Sequence, residues 1–412
     1  MAHIKPFKAL RPQAQYAKVV ASKPYDVLSS QEAKVEAEGN AASFLHITKS
    51  EIDLNEGINI HDEIVYQKAK ENLAAFIQRD ILFTETKDCL YIYQLIMQGR
   101  RQTGLVCVSS IDDYENNIIK KHEFTRPEKE KDRINHITTT GAQTGNVFLA
   151  YRNIKAIDIK IEKWKKEKSP IYDFIADDGV QHSIWVVNDD EVISETIMLF
   201  DKNVPHTYIA DGHHRAASAA KVRQALRNKD ERLSNTNFFL TTLFPANQLH
   251  IMDYNRVVMD LNGLEPEALV KKISEFFTVK KSAKAVKPKA LHSFGMYLNK
   301  QWYTLQAKEG TYKDDPISIL DVSILQENIL HPLLGINDQR TDKRIDFVGG
   351  IRGIEELEKI VNSGKAGIAF SLYPISMEQL FNIADSGNVM PPKSTWFEPK
   401  LRDGLLTHLI YE

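Results

Sequence analysis

The stretch HTYIADGHHR (206–215), followed by Ala216, Ala217, Ser218, Ala219 and Ala220, decides how this chain is read. Its β-branched and aromatic residues predict a strand over 207–210. Asp211 and Gly212 then turn the chain, and the alanines predict a helix over 215–227. A strand passing through a glycine turn into a helix start presents unpaired N–H groups and the positive end of the helix dipole, which suits a phosphate. Gly212 lets backbone approach a ligand closely. Arg215 can grip phosphate oxygens through its planar fork. His213 and His214 add donors or a proton shuttle near neutral pH. Asp211 can bind Mg²⁺ or accept a proton. Two plainer readings stand beside this one: an ordinary Asp-Gly turn with surface histidines, and a metal site of His206, Asp211, His213 and His214. The spacing of that set matches none of the standard zinc patterns.

Outward from this stretch, helical and strand patterns alternate. Strand-like runs are expected over 90–97 and 104–109, with 99–103 turning between them, and over 147–151 and 183–187. Helices are expected over 60–78, 112–121, 126–136 and 154–166. A buried strand over 238–244 ends at Pro245, where a second unit begins. In that unit a strand over 345–348, a helix over 354–361 and a strand over 367–372 repeat the alternation. The expected class is α/β (α+β), with a mixed sheet. The expected domains are 1–245, holding the site, and 246–412, a C-terminal α/β domain whose last loop (390–400) returns to that site.

Composition excludes several functions. The chain has 412 residues, and 53 Lys plus Arg against 55 Asp plus Glu leave a net charge of −2, without the basic excess of a free-standing nucleic-acid binder. With 42% hydrophobic and 9% aromatic residues it is no disordered chain. Its two cysteines, Cys89 and Cys107, lie in apolar runs and make no disulfide framework. The opening MAHIKPFKAL lacks a signal-peptide core, and apolar runs such as 367–372 fall far short of the roughly 20 residues that cross a bilayer. The expectation is a cytoplasmic protein with small-molecule partners, no nucleic acid and no membrane, its oligomeric state left open.

Three other segments carry candidate chemistry. KKHEFTRPEKEKDR (120–133) packs Lys121, His122, Glu123 and Arg126 at a helix mouth, with Pro127 at the first helical position and Thr125 as cap. Its plain reading is a solvated helix face. MPPKSTWFEPK (390–400) presents Lys393, Ser394 and Thr395 on a loop stiffened by prolines. KPYD (23–26) offers Tyr25 and Asp26 to a substrate, although Asp26 is equally placed to cap the helix that follows, where Ser29 or Ser30 also stands. Cations recur through these segments at Lys121, Arg126, Arg215, Lys393 and Lys400. If they converge, a chain of balanced charge carries a local anion trap.

Together with SFLHI (43–47), these motifs resemble those of a large uncharacterised bacterial and archaeal family, a domain-of-unknown-function group, over nearly the whole chain. ADGHHR is also similar to the phosphate-binding turn of the ParB and sulfiredoxin superfamily, some of whose members are free serine kinases. That resemblance implies a ParB/sulfiredoxin-like nucleotide-binding core. It places Gly212, His213, His214 and Arg215 on the turn and Asp211 on the acidic position before it. No cysteine stands in the turn, so sulfinic acid reduction is not implied, and no DNA-binding helix-turn-helix is visible. The implied activity is an ATP- or ADP-dependent, Mg²⁺-assisted transfer of phosphate to a small hydroxyl compound, free L-serine first. Asp211, His213 and Glu123 would be catalytic; Gly212, His214, Arg215, Lys121, His122, Arg126, Lys393, Ser394 and Thr395 would bind nucleotide. The alternatives are a nucleotide-binding regulator without turnover and a metal-dependent phosphohydrolase.

Overall fold

The computed structural model describes residues 1–226 and 231–411. Arg227 and Glu412, the expected ends of the helix over 215–227 and of the second domain, lie outside the described residues. Contacts divide the chain into two units, 1–249 together with 399–412, and 250–398.

The first unit is built on a nine-stranded sheet. Its order is Ile119–Lys120, Thr207–Asp211, Val147–Tyr151, Phe238–Pro245, Arg100–Ser110, Leu90–Met97, Gln181–Val187 and Tyr172–Ile175, with Ile4–Lys5 also paired to Arg100–Ser110. Thr207–Asp211 runs parallel to Ile119–Lys120, and Phe238–Pro245 runs parallel to Val147–Tyr151, while the other pairings are antiparallel. The sheet is therefore mixed, as the alternation of elements implied.

Two local departures from the sequence reading have clear causes. Residues 100–103 are strand, because the reversal needs only Gln98 and Gly99, both at positive φ (51° and 76°), the conformation of a tight hairpin turn. The expected helix over 112–121 stops at Glu115, and Ile119–Lys120 becomes an edge strand beside Thr207–Asp211. Here pairing in the sheet outweighs local helix propensity.

The helix His213–Leu226 lays Ala216, Ala219 and Ala220 into the same core as Leu149, Ile209 and Phe239. Small side chains on this face let the helix axis approach the sheet, so the turn that precedes it is fixed by packing. Beside it runs the helix Pro127–Thr140, closed by Gly141 in the left-handed conformation (φ 70°). Thr125 does not cap this helix: the capping position is Arg126, without a side-chain bond, and Thr125 Oγ1 donates to the Glu130 carboxylate instead. Ser218 Oγ donates to Glu130 O at 3.1 Å, which ties the two helices together.

A separate four-stranded sheet, in the order Leu82–Thr84, Ala9–Pro12, Thr407–Leu409 and Ala142–Gln143, holds the C-terminal strand between segments from the N-terminal half. In the second unit a six-stranded antiparallel sheet runs Phe277–Ser282, Gln301–Ala307, Ser293–Leu298, Ile368–Leu372, Tyr254–Val258, Ile345–Gly349. None of the described helices is long and apolar enough to cross a membrane.

Candidate functional site

The strand Thr207–Asp211 slips its register against Val147–Tyr151 between Ile209 and Asp211. Such a bulge re-aims the side chains beyond it, here Asp211. Gly212 follows at φ 98°, a conformation that L side chains rarely adopt, and the helix starts at His213. A Cβ on Gly212 would lie 3.2 Å from the Arg215 guanidinium carbon, so glycine also makes room for that side chain to fold back.

Arg215 is buried, and it is already tied to protein. Its Nη1 donates to Asn146 O; its Nη2 lies 3.3 Å from Asp211 Oδ2 and 3.7 Å from Asp26 Oδ2, while its Nε is buried without a hydrogen-bond partner. Burial opposes the guanidinium charge, but Asp211 and Asp26 more than offset it, and its pKa lies above the ordinary value. Lys400 Nζ meets the same Asp211 oxygen at 3.4 Å. Burial alone would raise the Asp211 carboxyl, yet Lys400 and Arg215 hold it well below the usual carboxylate range. Two cations of the anticipated set, Arg215 and Lys400, thus converge on one carboxylate.

Asp403 completes the group. It is 2% exposed, and its Oδ2 has no hydrogen-bond partner. Burial pushes its carboxyl up to about 7, helped by Asp26 and opposed by Arg215 and Arg133. Asp26 is free to join because the following helix Ser30–Ala37 is capped by Ser29, in a reciprocal box with Glu32.

The tandem histidines hold the 121–126 loop. His213 Nε2 accepts a long bond (3.5 Å) from the His122 N–H, and His214 Nε2 accepts from the Arg126 N–H at 3.0 Å. The lone pair that His213 would need as a base is therefore occupied. Its Nδ1 lies 3.7 Å from Glu123 Oε2. His122 packs its ring edge-on to His213 at 4.6 Å, and both of its ring nitrogens are buried without partners. Burial pushes both imidazoles down to about 3, so both are neutral near pH 7. Lys121 turns to Tyr114, donating to its carbonyl at 2.8 Å with Nζ 4.1 Å above its ring. Arg126 is exposed.

A small cavity, open to solvent, lies against Arg215. Tyr25, Arg133, Thr144 and Gly145 line its polar side. Arg133 lies 3.8 Å over the Tyr25 ring and donates through Nε and Nη2 to Asp132 Oδ2 at 2.9 and 2.7 Å. Burial opposes its charge, but Tyr25 and Asp132 raise its pKa above the ordinary value. The phenol of Tyr25 is itself raised, by burial and then by Asp26.

Lys393, Ser394 and Thr395 fall in the second unit. Ser394 Oγ donates to Pro391 O at 2.6 Å, and buried Arg256 donates to Pro392 O at 3.2 Å and Lys393 O at 3.1 Å, so that loop is fixed within its own unit. Among the described residues, no three His, Cys, Asp or Glu side chains are grouped to hold a metal ion.

The sequence reading did not single out Arg133, Asn146, Gly145 or Asp403. Only Asp403 left a signal, since Asp403-Gly404 between apolar runs repeats the Asp-Gly signature of 211–212.

The family model described as a protein of unknown function, DUF1015, matches residues 4–323, and the chain belongs to that family. No curated protein matches it by sequence. Among solved structures it is similar to a conserved hypothetical protein from Pyrococcus furiosus (14% identity, TM-score 0.37, covering 74% of this chain and 95% of that one). It is also similar to a free serine kinase in complex with AMP (13%, 0.35, 73% and 92%) and to SbnI with a C-terminal truncation from Staphylococcus aureus (11%, 0.34, 74% and 87%). At these identities and TM-scores the likenesses carry no argument about chemistry.

Proposed function

We propose that this family member is a nucleotide-dependent phosphotransferase acting on a small hydroxyl compound, with ATP or ADP as donor and free L-serine as the first acceptor to test. One observation carries the reading. The Gly212 turn opens a helix start beside two cations, Arg215 and Lys400, held by one carboxylate, and a cavity adjoins it.

In this reading the first-turn N–H groups of the helix, together with Lys400 and Arg215, receive phosphate oxygens. Phosphoryl transfer asks chiefly for positioning and charge neutralisation, and a fixed ring of charges supplies both. Asp211 spends only its Oδ2 on Lys400 and Arg215. Its other oxygen and the partly exposed Asp26 suit Mg²⁺, which takes one or two carboxylates and keeps several waters. Mg²⁺ bound there would neutralise charge on the transferred phosphate. Asp26 or Glu123 takes the acceptor proton, since His213 is occupied. His213 and His214 hold the 121–126 loop in place.

The test is a coupled assay of the purified full chain with ATP or ADP, Mg²⁺ and a panel of hydroxy amino acids. A phosphorylated product supports the reading. Prolonged incubation without product, despite nucleotide binding by calorimetry, supports a regulator instead.

A further inference from the structure

Arg133 belongs to the least conspicuous part of the sequence, a charged helix, yet it is 8% exposed and lines the cavity beside Arg215. Its guanidinium is fixed from two sides. Tyr25 lies beneath it at 3.8 Å, and Asp132 takes Nε and Nη2. Asp132 is itself oriented by Tyr66, whose hydroxyl donates to Oδ1 at 2.9 Å, and by His61 Nδ1 at 3.2 Å. That leaves Nη1, which makes no hydrogen bond among the described residues. Arg215 Nε is likewise buried without a partner. The rest of the wall mixes apolar Ile137, Val147 and Phe239 with polar His136, Gln143 and Thr144.

We propose that this cavity is a carboxylate-binding pocket with Arg133 as its anchor, and that its ligand is a small hydroxy or amino acid. A guanidinium whose fork is locked by a second carboxylate loses little rotamer freedom on taking a planar anion. Arg215 Nε, buried without a partner, is costly to leave unsatisfied, so a neutral isostere is rejected. Asp26, whose Oδ2 lies 3.7 Å from Arg215 Nη2, offers negative charge for an ammonium group. The role of this ligand as phosphate acceptor rests on the phosphotransferase reading; the binding of a carboxylate does not.

The test is calorimetric titration of the full chain with L-serine, glycerate, L-serinamide and ethanolamine, and in a separate arm with ADP. The two carboxylates are expected to bind about 100-fold or more tighter than the amide and the amino alcohol, by the discrimination of a site built for a charged partner. Arg133→Lys is expected to bring that ratio below about 5, while a loss of packing alone would weaken all four ligands together. Serinamide binding as well as serine does, or an unchanged ratio in Arg133→Lys, overturns the assignment. The ligand panel on the unaltered chain decides the question even if the variant fails to fold. Carboxylate-selective binding without any ADP binding supports the pocket and sinks the phosphotransferase.

Discussion

Lys400 Nζ lies 3.4 Å from Asp211 Oδ2, although 189 positions of sequence separate the two residues. The pair joins the C-terminal segment to the turn before the site helix, and Arg215 shares the same oxygen at 3.3 Å. A carboxylate between two cations limits their pull on an incoming anion and fixes where they stand. Asp211→Asn keeps the shape and removes the charge. Nucleotide without Mg²⁺ is expected to bind this variant more tightly, while phosphate transfer falls by about 100-fold or more. Calorimetry alongside the coupled assay reads both, and weaker binding without Mg²⁺ counts against the arrangement.

Arg215 is more than a ligand-facing cation. Removing it leaves Asp211, Asp26 and Asp403 facing one another, with Asn146 O losing a donor. Arg215→Ala is therefore expected to cost about 3–5 kcal/mol in urea unfolding, the range for breaking a buried ion pair. Arg215→Lys retains charge without the fork and is expected to lose less stability. Equal stability of Arg215→Ala and the unaltered chain would show the charge cluster to be dispensable.

The two histidine clamps predict a local effect. His213→Ala and His214→Ala each remove the acceptor for one loop N–H, at a cost of about 1 kcal/mol per bond. Hydrogen exchange is expected to speed up at His122 in the first variant and at Arg126 in the second. Protection unchanged at both amides would remove the clamp.

The pH dependence of stability has two opposing parts. Burial holds His122, His182 and His213 near 3, and His136 and His408 near 4, below the ordinary 6.5. The unfolded chain binds protons that the native state refuses, so their contribution is present above about pH 6.5 and lost as pH falls toward 3. Asp403 acts the other way. With its carboxyl raised from 3.8 to about 7, its contribution is present at acid pH and lost as pH rises through 7. Melting temperatures are expected to fall below pH 6, and His122→Phe should lessen that fall. Asp403→Asn should remove a loss of stability spread between about pH 4 and 7. A Tm curve for Asp403→Asn that parallels the parent's across that window would contradict the assignment.

Much of the core site was legible in the order of residues. Strand, turn and helix are local, so Thr207–Asp211, Gly212 and the alanine-faced helix could be read from propensity and periodicity. The mixed sheet followed from the alternation of elements, whereas the choice of Ser29 over Ser30 or Asp26 as cap came from the structure. The roles of the tandem histidines could not be read this way. A histidine in sequence carries two nitrogens and no partners, and only the fold puts backbone N–H groups of the 122–126 loop against them.

Sequence by itself determined the turn and the kinds of charge near it, because steric and hydrogen-bond rules act between neighbours along the chain. Tertiary structure alone decided which charges meet. Asp26, Arg133, Asn146, Arg215, Lys400 and Asp403 come from five separate segments, and burial gives their pairings a weight that water would remove. In solution these side chains would be a nearly neutral scatter. Packed behind the helix His213–Leu226, they set one another's protonation and leave two guanidinium donors unmet.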